Sequence, residues 1–234
     1  MGNYNGTTAP TIAVEFYVSS VWTAASSDDI LEIYIRRGRQ QYDVLNQAAT
    51  AGVIFNNLSG KYDPDNTSSV WYPNLKAGLQ MRIRATWSST AYTIYQGFLE
   101  SSTVNQGFYP TVTMNFVDGL GYIADATAPV LASLQYQETA ATRVGRMLDY
   151  AGWSATARSL TGTVTLQSTM QGRSCLAMIN QAVNAIAGRF YISRSGVATL
   201  VPLSDKFSRP TQLLFSDQGD AYPINYDGLV VDPG

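Results

Sequence analysis

The chain has 234 residues, 45% of them hydrophobic and only 14% charged, with a net charge of −2 and no histidine. That length allows one large or two small domains with a real core. The absent histidine removes the commonest general base, the commonest metal ligand and every Ser–His or Cys–His pair, and the slightly negative balance gives no basic footprint for nucleic acid.

Cys175 is the single cysteine, which excludes an intramolecular disulfide and a cysteine zinc site. No apolar run reaches transmembrane length, and Met1 to Pro10 lacks the basic and apolar parts of a signal peptide. The expectation is a chain made in the cytoplasm, without a membrane anchor. Thin charge and 15 tyrosines suit a surface that neighbours cover, as in an assembly subunit.

In chain order, Met1 to Pro10 is a polar arm. Thr11 to Val18 predicts a strand with Ile12, Val14 and Phe16 on one face, and Ser26 to Asp29 a turn. Ile30 to Arg37 alternates Leu31, Ile33 and Ile35 with Glu32, Tyr34 and Arg36, the pattern of a half-buried antiparallel strand. Ala49 to Asn56 is a strand centred on Val53 and Phe55. Asn57 to Gly78 is rich in Gly, Pro, Asn and Ser and predicts an ordered surface excursion, with Tyr62, Trp71 and Tyr72 packing back on the sheet. Leu79 to Trp87, Ala91 to Glu100 and Pro110 to Val117 complete a β-sandwich or barrel with no helix.

The texture changes after Asp118. Thr139 to Ala151 predicts a helix with Val144, Met147, Leu148 and Ala151 inward and Gly152 as its C-terminal cap. Thr163 to Ser168 is a short strand. Ser174 caps a second helix carrying Leu176, Ile179, Val183 and Ile186, ended by Gly188; Cys175 lies beside that apolar face as a small buried hydrophobe. Arg189 to Leu203 reads as a hairpin turning at Arg194-Ser195-Gly196, and short strands follow from Asp205. The fold class is therefore mostly β with a second α+β part. The β domain spans residues 1–120 and the small α+β domain, with two helices, residues 121–234.

Three patterns imitate chemistry. Gly119-Leu120-Gly121-Tyr122-Ile123-Ala124 matches the dinucleotide fingerprint, but the strand before it alternates polar and apolar and no βαβ unit follows, so a domain-crossing turn is preferred and no cofactor is expected. Asp63, Asp65 and Asn66 open like a calcium loop; Ser68 and Asn74 stand where its Gly and Glu belong, so an Asx-stabilised turn is preferred and no metal is assigned. Arg36, Arg37 and Arg39, with Arg82 and Arg84, suggest a basic strip that pairs with acids at a subunit contact. The three Asn-x-Ser/Thr sequons, at Asn5, Asn57 and Asn66, are coincidental without secretion. No nucleophile motif or singled-out carboxylate pair is present, so no enzyme activity is expected.

Several runs, taken together and in order, resemble a known family. They are Arg36-Arg37-Gly38-Arg39-Gln40, Tyr62-Asp63-Pro64-Asp65-Asn66-Thr67-Ser68-Ser69, Tyr72-Pro73-Asn74-Leu75-Lys76, Arg82-Ile83-Arg84-Ala85-Thr86-Trp87 and Gly97-Phe98-Leu99-Glu100-Ser101. In the second half come Asp118-Gly119-Leu120-Gly121, Arg146-Met147-Leu148-Asp149-Tyr150-Ala151-Gly152-Trp153 and Gly188-Arg189-Phe190-Tyr191-Ile192. The set is similar to the phage minor tail proteins of the tail hub or baseplate hub. The resemblance implies a tail-tube-like β domain that builds a closed ring around the DNA-exit channel at the virion tail tip, assembled in the host cytoplasm.

By the same resemblance the ring is a trimer, with a hexamer as the alternative because only one tube-like domain is evident. Its partners are other tail proteins (tube, distal tail, tape measure, tip or fibre), and DNA passes through the lumen without specific binding. Candidate interface residues are Arg36, Arg37, Arg39, Tyr62, Trp71 and Tyr72. The rival expectation is a host-glycan-binding module that stacks sugars on Trp71, Tyr72 and Tyr92.

Overall fold

A computed structural model describes residues 9–37, 47–129, 137–168 and 172–205. The predicted arm up to Thr8, Arg39 and the predicted strands beyond Asp205 lie outside these residues. Those up to Pro202 belong to one compact unit, and Leu203 to Asp205 to a second.

Seven strands form the first half: β1 (Thr11–Val18), β2 (Val21–Ala24), β3 (Ile30–Arg36), β4 (Thr50–Asn56), β5 (Gln80–Trp87), β6 (Thr90–Asn105) and β7 (Thr111–Val117). They make one antiparallel sheet in the order β2-β1-β5-β6-β7-β4-β3. Its two edges, β2 and β3, are consecutive in sequence. A flat sheet of this width spans roughly 29 Å between edges, whereas the link from Ala24 to Ile30 reaches at most about 21 Å. The sheet is therefore rolled into an open barrel. Its interior is lined by Val14, Phe16, Val53, Phe55, Met81, Ile83, Val112, Met114 and Phe116, all buried.

Strand β2 is absent from the sequence expectations because of its turn. Ser19 and Ser20 take φ of 50° and 65°, and Ser88 and Ser89 repeat this between β5 and β6 with 46° and 66°. Both pairs make two-residue hairpins with left-handed φ at each position, a turn usually signalled by Asn-Gly. In β3 a register shift between Ile30 and Glu32 interrupts the alternation. Ile33 and Ile35 pack on the core, while Leu31 faces solvent.

Gly97, inside the longest strand, lies where β7 and the Tyr95 side chain approach its backbone closely. A Cβ there would lie 2.5 Å from the Val117 carbonyl oxygen and 2.6 Å from the Tyr95 hydroxyl. Gly97→Ala is expected to cost about 1–3 kcal/mol, read as a lower urea midpoint at unchanged slope. Gly107→Ala, where the added Cβ meets only Asn105 Oδ1 at 3.4 Å, is the control; equal midpoints for the two would refute the close approach.

The second half contains α1 (Gly119–Asp125), β8 (Glu138–Thr139), α2 (Ala140–Tyr150), β9 (Arg158–Leu160), β10 (Thr165–Leu166), α3 (Cys175–Ala185), β11 (Arg189–Ile192) and β12 (Ala198–Val201). The expected turn at Gly119 is thus a third helix. Asp118 caps it, its Oδ1 accepting from Leu120 N at 2.9 Å, and Leu120 and Ile123 face inward.

Helix α2 starts at the Thr139 cap and stops at Gly152, φ 68°. Trp153 N donates to Leu148 O and Gly152 N to Asp149 O, the paired bonds of a Schellman motif. Helix α3 has the expected Ser174 cap, but the left-handed residue at its far end is Ala187, φ 47°, rather than Gly188. The three helices and the sheet β11-β12-β9 enclose a second core with Val144, Met147, Leu148, Ile179 and Leu200; Cys175 is buried in it.

Candidate functional site

The predicted site residues separate into three environments. Tyr62 and Trp71 lie in the barrel core, 0% and 4% exposed. Tyr62 stacks on Phe55 with ring centroids 4.2 Å apart, and Trp71 meets Phe16 edge-on at 5.1 Å. The excursion 57–78 folds back far enough to bury both rings in the folded chain, whereas Tyr72, expected to pack with them, stays exposed. Trp71 therefore offers no stacking face to a sugar, whereas Tyr72 and Tyr92 are exposed.

Hydrogen bonds hold the excursion in place. Asn57 Oδ1 accepts from Tyr62 N at 2.8 Å, Asp63 Oδ1 from Asp65 N and Asn66 Oδ1 from Ser68 N, both at 3.0 Å. Two of the side chains that imitated a calcium loop, Asp63 and Asn66, are thus Asx-turn acceptors. Asp29 Oδ2 accepts from both Lys61 Nζ and the Tyr62 hydroxyl at 2.9 Å. Lys61 holds the Asp29 carboxyl below its usual range, and burial, then Asp29, pushes the Tyr62 phenol well above its own.

The arginines do not form one strip. Arg82 and Arg84, on β5, both pair with Glu15 on the neighbouring β1, Arg84 at 3.4 Å. Arg82 also lies 4.4 Å from the centre of the Trp22 ring. Three strands separate β5 from β3 in the sheet. The acid expected from a neighbouring subunit is supplied by the same chain.

Arg36 is exposed at the end of edge strand β3. Arg37, the next residue, reaches across the molecule. Its Nη1 donates to Ile94 O and its Nη2 to Ile192 O, each at 3.2 Å, so one guanidinium ties β6 to β11. Burial holds this guanidinium below its usual range, opposed by Asp118 and assisted by Arg194.

Beside Arg37 opens a cleft of about 530 Å³ between the barrel and the α+β part, with Asp118, Leu120, Arg189, Ile192 and Arg194 on its walls. Burial pushes the Asp118 carboxyl up. On another face of the same junction, Phe98 stacks on Tyr122 at 4.7 Å and meets Trp153 at 5.9 Å. A Cβ on Gly119 would lie 2.3 Å from the Trp153 ring. The fingerprint-like glycine serves close packing, not phosphate. Sequence reasoning did not single out Arg189, Arg194 or this aromatic trio, although all except Arg194 and Tyr122 lie within the runs quoted for the resemblance.

The barrel edges are the other open feature. Among the described residues β2 pairs only with β1 and β3 only with β4, leaving unpaired backbone groups along both. Tyr34 on β3 lies across Gly52 and donates to Asn115 Oδ1 at 2.7 Å, which stiffens that edge.

No protein-family model matches the chain, and neither does any curated protein. Solved structures do. The 43 kDa tail protein of prophage MuSo2 from Shewanella oneidensis matches with a TM-score of 0.54 at 9% identity, over 83% of this chain and 54% of that one. The chain shares its fold with that tail protein. The tail protein from Neisseria meningitidis MC58 shares it, with a TM-score of 0.54 at 13% identity, over 90% of this chain and 56% of its own. The present chain thus spans little more than half the length of either. Among the described residues no helix is long and apolar enough to cross a membrane.

Proposed function

We propose that the chain is a non-enzymatic structural subunit of a phage tail tip, forming a closed ring of the hub or adaptor kind between tail tube and tip. The observation that carries this reading is the tail-protein fold, shared over most of the chain with two tail proteins. Two features support the ring. The rolled sheet leaves β2 and β3 unpaired on its rim, and strand addition along such edges joins subunits through backbone hydrogen bonds. Within the chain Glu15 pairs with both arginines of β5 and offsets one of their two charges, so a lumen wall built there holds DNA only weakly. Other tail proteins are the expected partners, with Arg36 and Tyr72 as the remaining exposed interface candidates.

The test is the native mass of the purified chain at high concentration, with negative-stain images of any particle. The expected outcome is a ring with an open axial channel, whose mass distinguishes a trimer from a hexamer. A strict monomer, alone and when mixed with tail-tube protein, would sink the proposal.

A further inference from the structure

The cleft beside Arg37 carries more positive charge than the chain satisfies. Arg37, Arg189 and Arg194 converge on it with Asp118 as the acidic residue on its wall, on a chain whose net charge is −2. Asp118 is buried and already caps α1 through Leu120 N. Arg37 is committed to two carbonyls. Among the described residues the Arg189 and Arg194 side chains have neither a hydrogen bond nor an ion pair. The guanidiniums of Arg37 and Arg194 lie close enough to repel. Like charges held together cost folding energy unless something opposite enters between them.

Size and lining narrow the ligand. A volume of about 530 Å³ is far larger than a bare anion needs and falls within the roughly 300–1,000 Å³ range of ligand sites. Leu120 and Ile192 give the cleft apolar wall beside the cationic groups, so an ion alone would leave that wall wet. Nucleic acid fits less well, because its footprint is an extended basic stripe and the other arginine group, on β5, is partly offset by Glu15.

We propose that this cleft is a receptor for an acidic peptide segment of a partner protein. Arg189 and Arg194 take its carboxylates in charge-assisted hydrogen bonds, Arg37 supplies fixed positive potential, and Leu120 and Ile192 seat a neighbouring apolar side chain. The assignment rests on the cleft and does not depend on the tail reading.

The experiment uses the full chain and a fluorescein-labelled peptide of glutamates flanking a leucine, followed by polarisation at low salt. Saturable binding is expected, weakened at least about tenfold in R189Q/R194Q. It should be restored in part by R189K/R194K and unchanged in R36Q. Because the Arg189 and Arg194 side chains hold nothing among the described residues and removing them relieves repulsion, R189Q/R194Q should melt no lower than the parent. A peptide with glutamine in place of glutamate should not bind. Equal affinity for parent and R189Q/R194Q, or no saturation, would overturn the proposal. Displacement of the peptide by inorganic phosphate at matching concentration would overturn its peptide part.

Discussion

Glu138→Gln is expected to lower the unfolding free energy by about 3–5 kcal/mol, a fall in melting temperature of roughly 10 °C for a unit of this size. Glu138 Oε1 accepts from Arg143 Nε at 2.9 Å and also pairs with Arg146. The Arg143 side chain is 4% exposed, and its Nη2 donates to Gln167 O at 2.6 Å. With the carboxylate gone, a nearly buried guanidinium keeps one carbonyl and loses its counter-charge, and that desolvation is what makes the loss large.

The pair Glu15–Arg82 sets the comparison. There the arginine side chain is 23% exposed and also rests on Trp22, so Glu15→Gln is expected to cost under about 1 kcal/mol. The double variant E138Q/R143M separates charge from packing, since removing both charges of a buried pair is often close to neutral. It should recover much of the loss. Equal melting temperatures for Glu138→Gln and the parent would refute the network's role.

Trp71→Ala should cost about 3–5 kcal/mol, the usual range for truncating a buried aromatic, whereas Tyr72→Ala should stay within about 0.5 kcal/mol. The two residues are adjacent in sequence, and both read as candidates for a partner or a sugar. In the fold, Trp71 closes the mouth of the barrel beside Phe16 and Tyr62, while Tyr72 is 45% exposed. Chemical denaturation of both variants, alongside native mass, tells the roles apart. A stable Trp71→Ala protein with impaired assembly would return Trp71 to an interface.

Much of the chain was legible because its local signals agree with the fold. Val112, Met114 and Phe116 alternate with Thr and Asn and form a strand whose apolar side chains are all buried. Thr139, Gly152 and Ser174 stand at helix ends with the expected capping bonds, since those bonds involve only residues a few positions away. The same locality makes the Asn57 to Gly78 excursion readable as ordered turns.

Other features were hidden because their causes are non-local or use an unusual residue. Ser19-Ser20 adopts left-handed φ without glycine or asparagine, so the hairpin to β2 carries no standard marker. The bulge in β3 that exposes Leu31 depends on its pairing with β4. Gly119 reads as part of a domain-crossing turn, but what requires glycine there is the Trp153 ring, 34 positions later, packed against it.

By itself the sequence determined the β-then-α+β order, most strand positions, two of the three helices and the absence of histidine chemistry. Those properties depend on composition and on short-range periodicity. The tertiary structure decided which arginines have acids, which aromatics are buried, that the sheet rolls until its two edges approach, and that Arg189 and Arg194 share a cleft with Arg37. Burial and charge pairing are set by residues far apart in the chain, such as Arg37 and Ile192, and no local pattern encodes a contact across that separation.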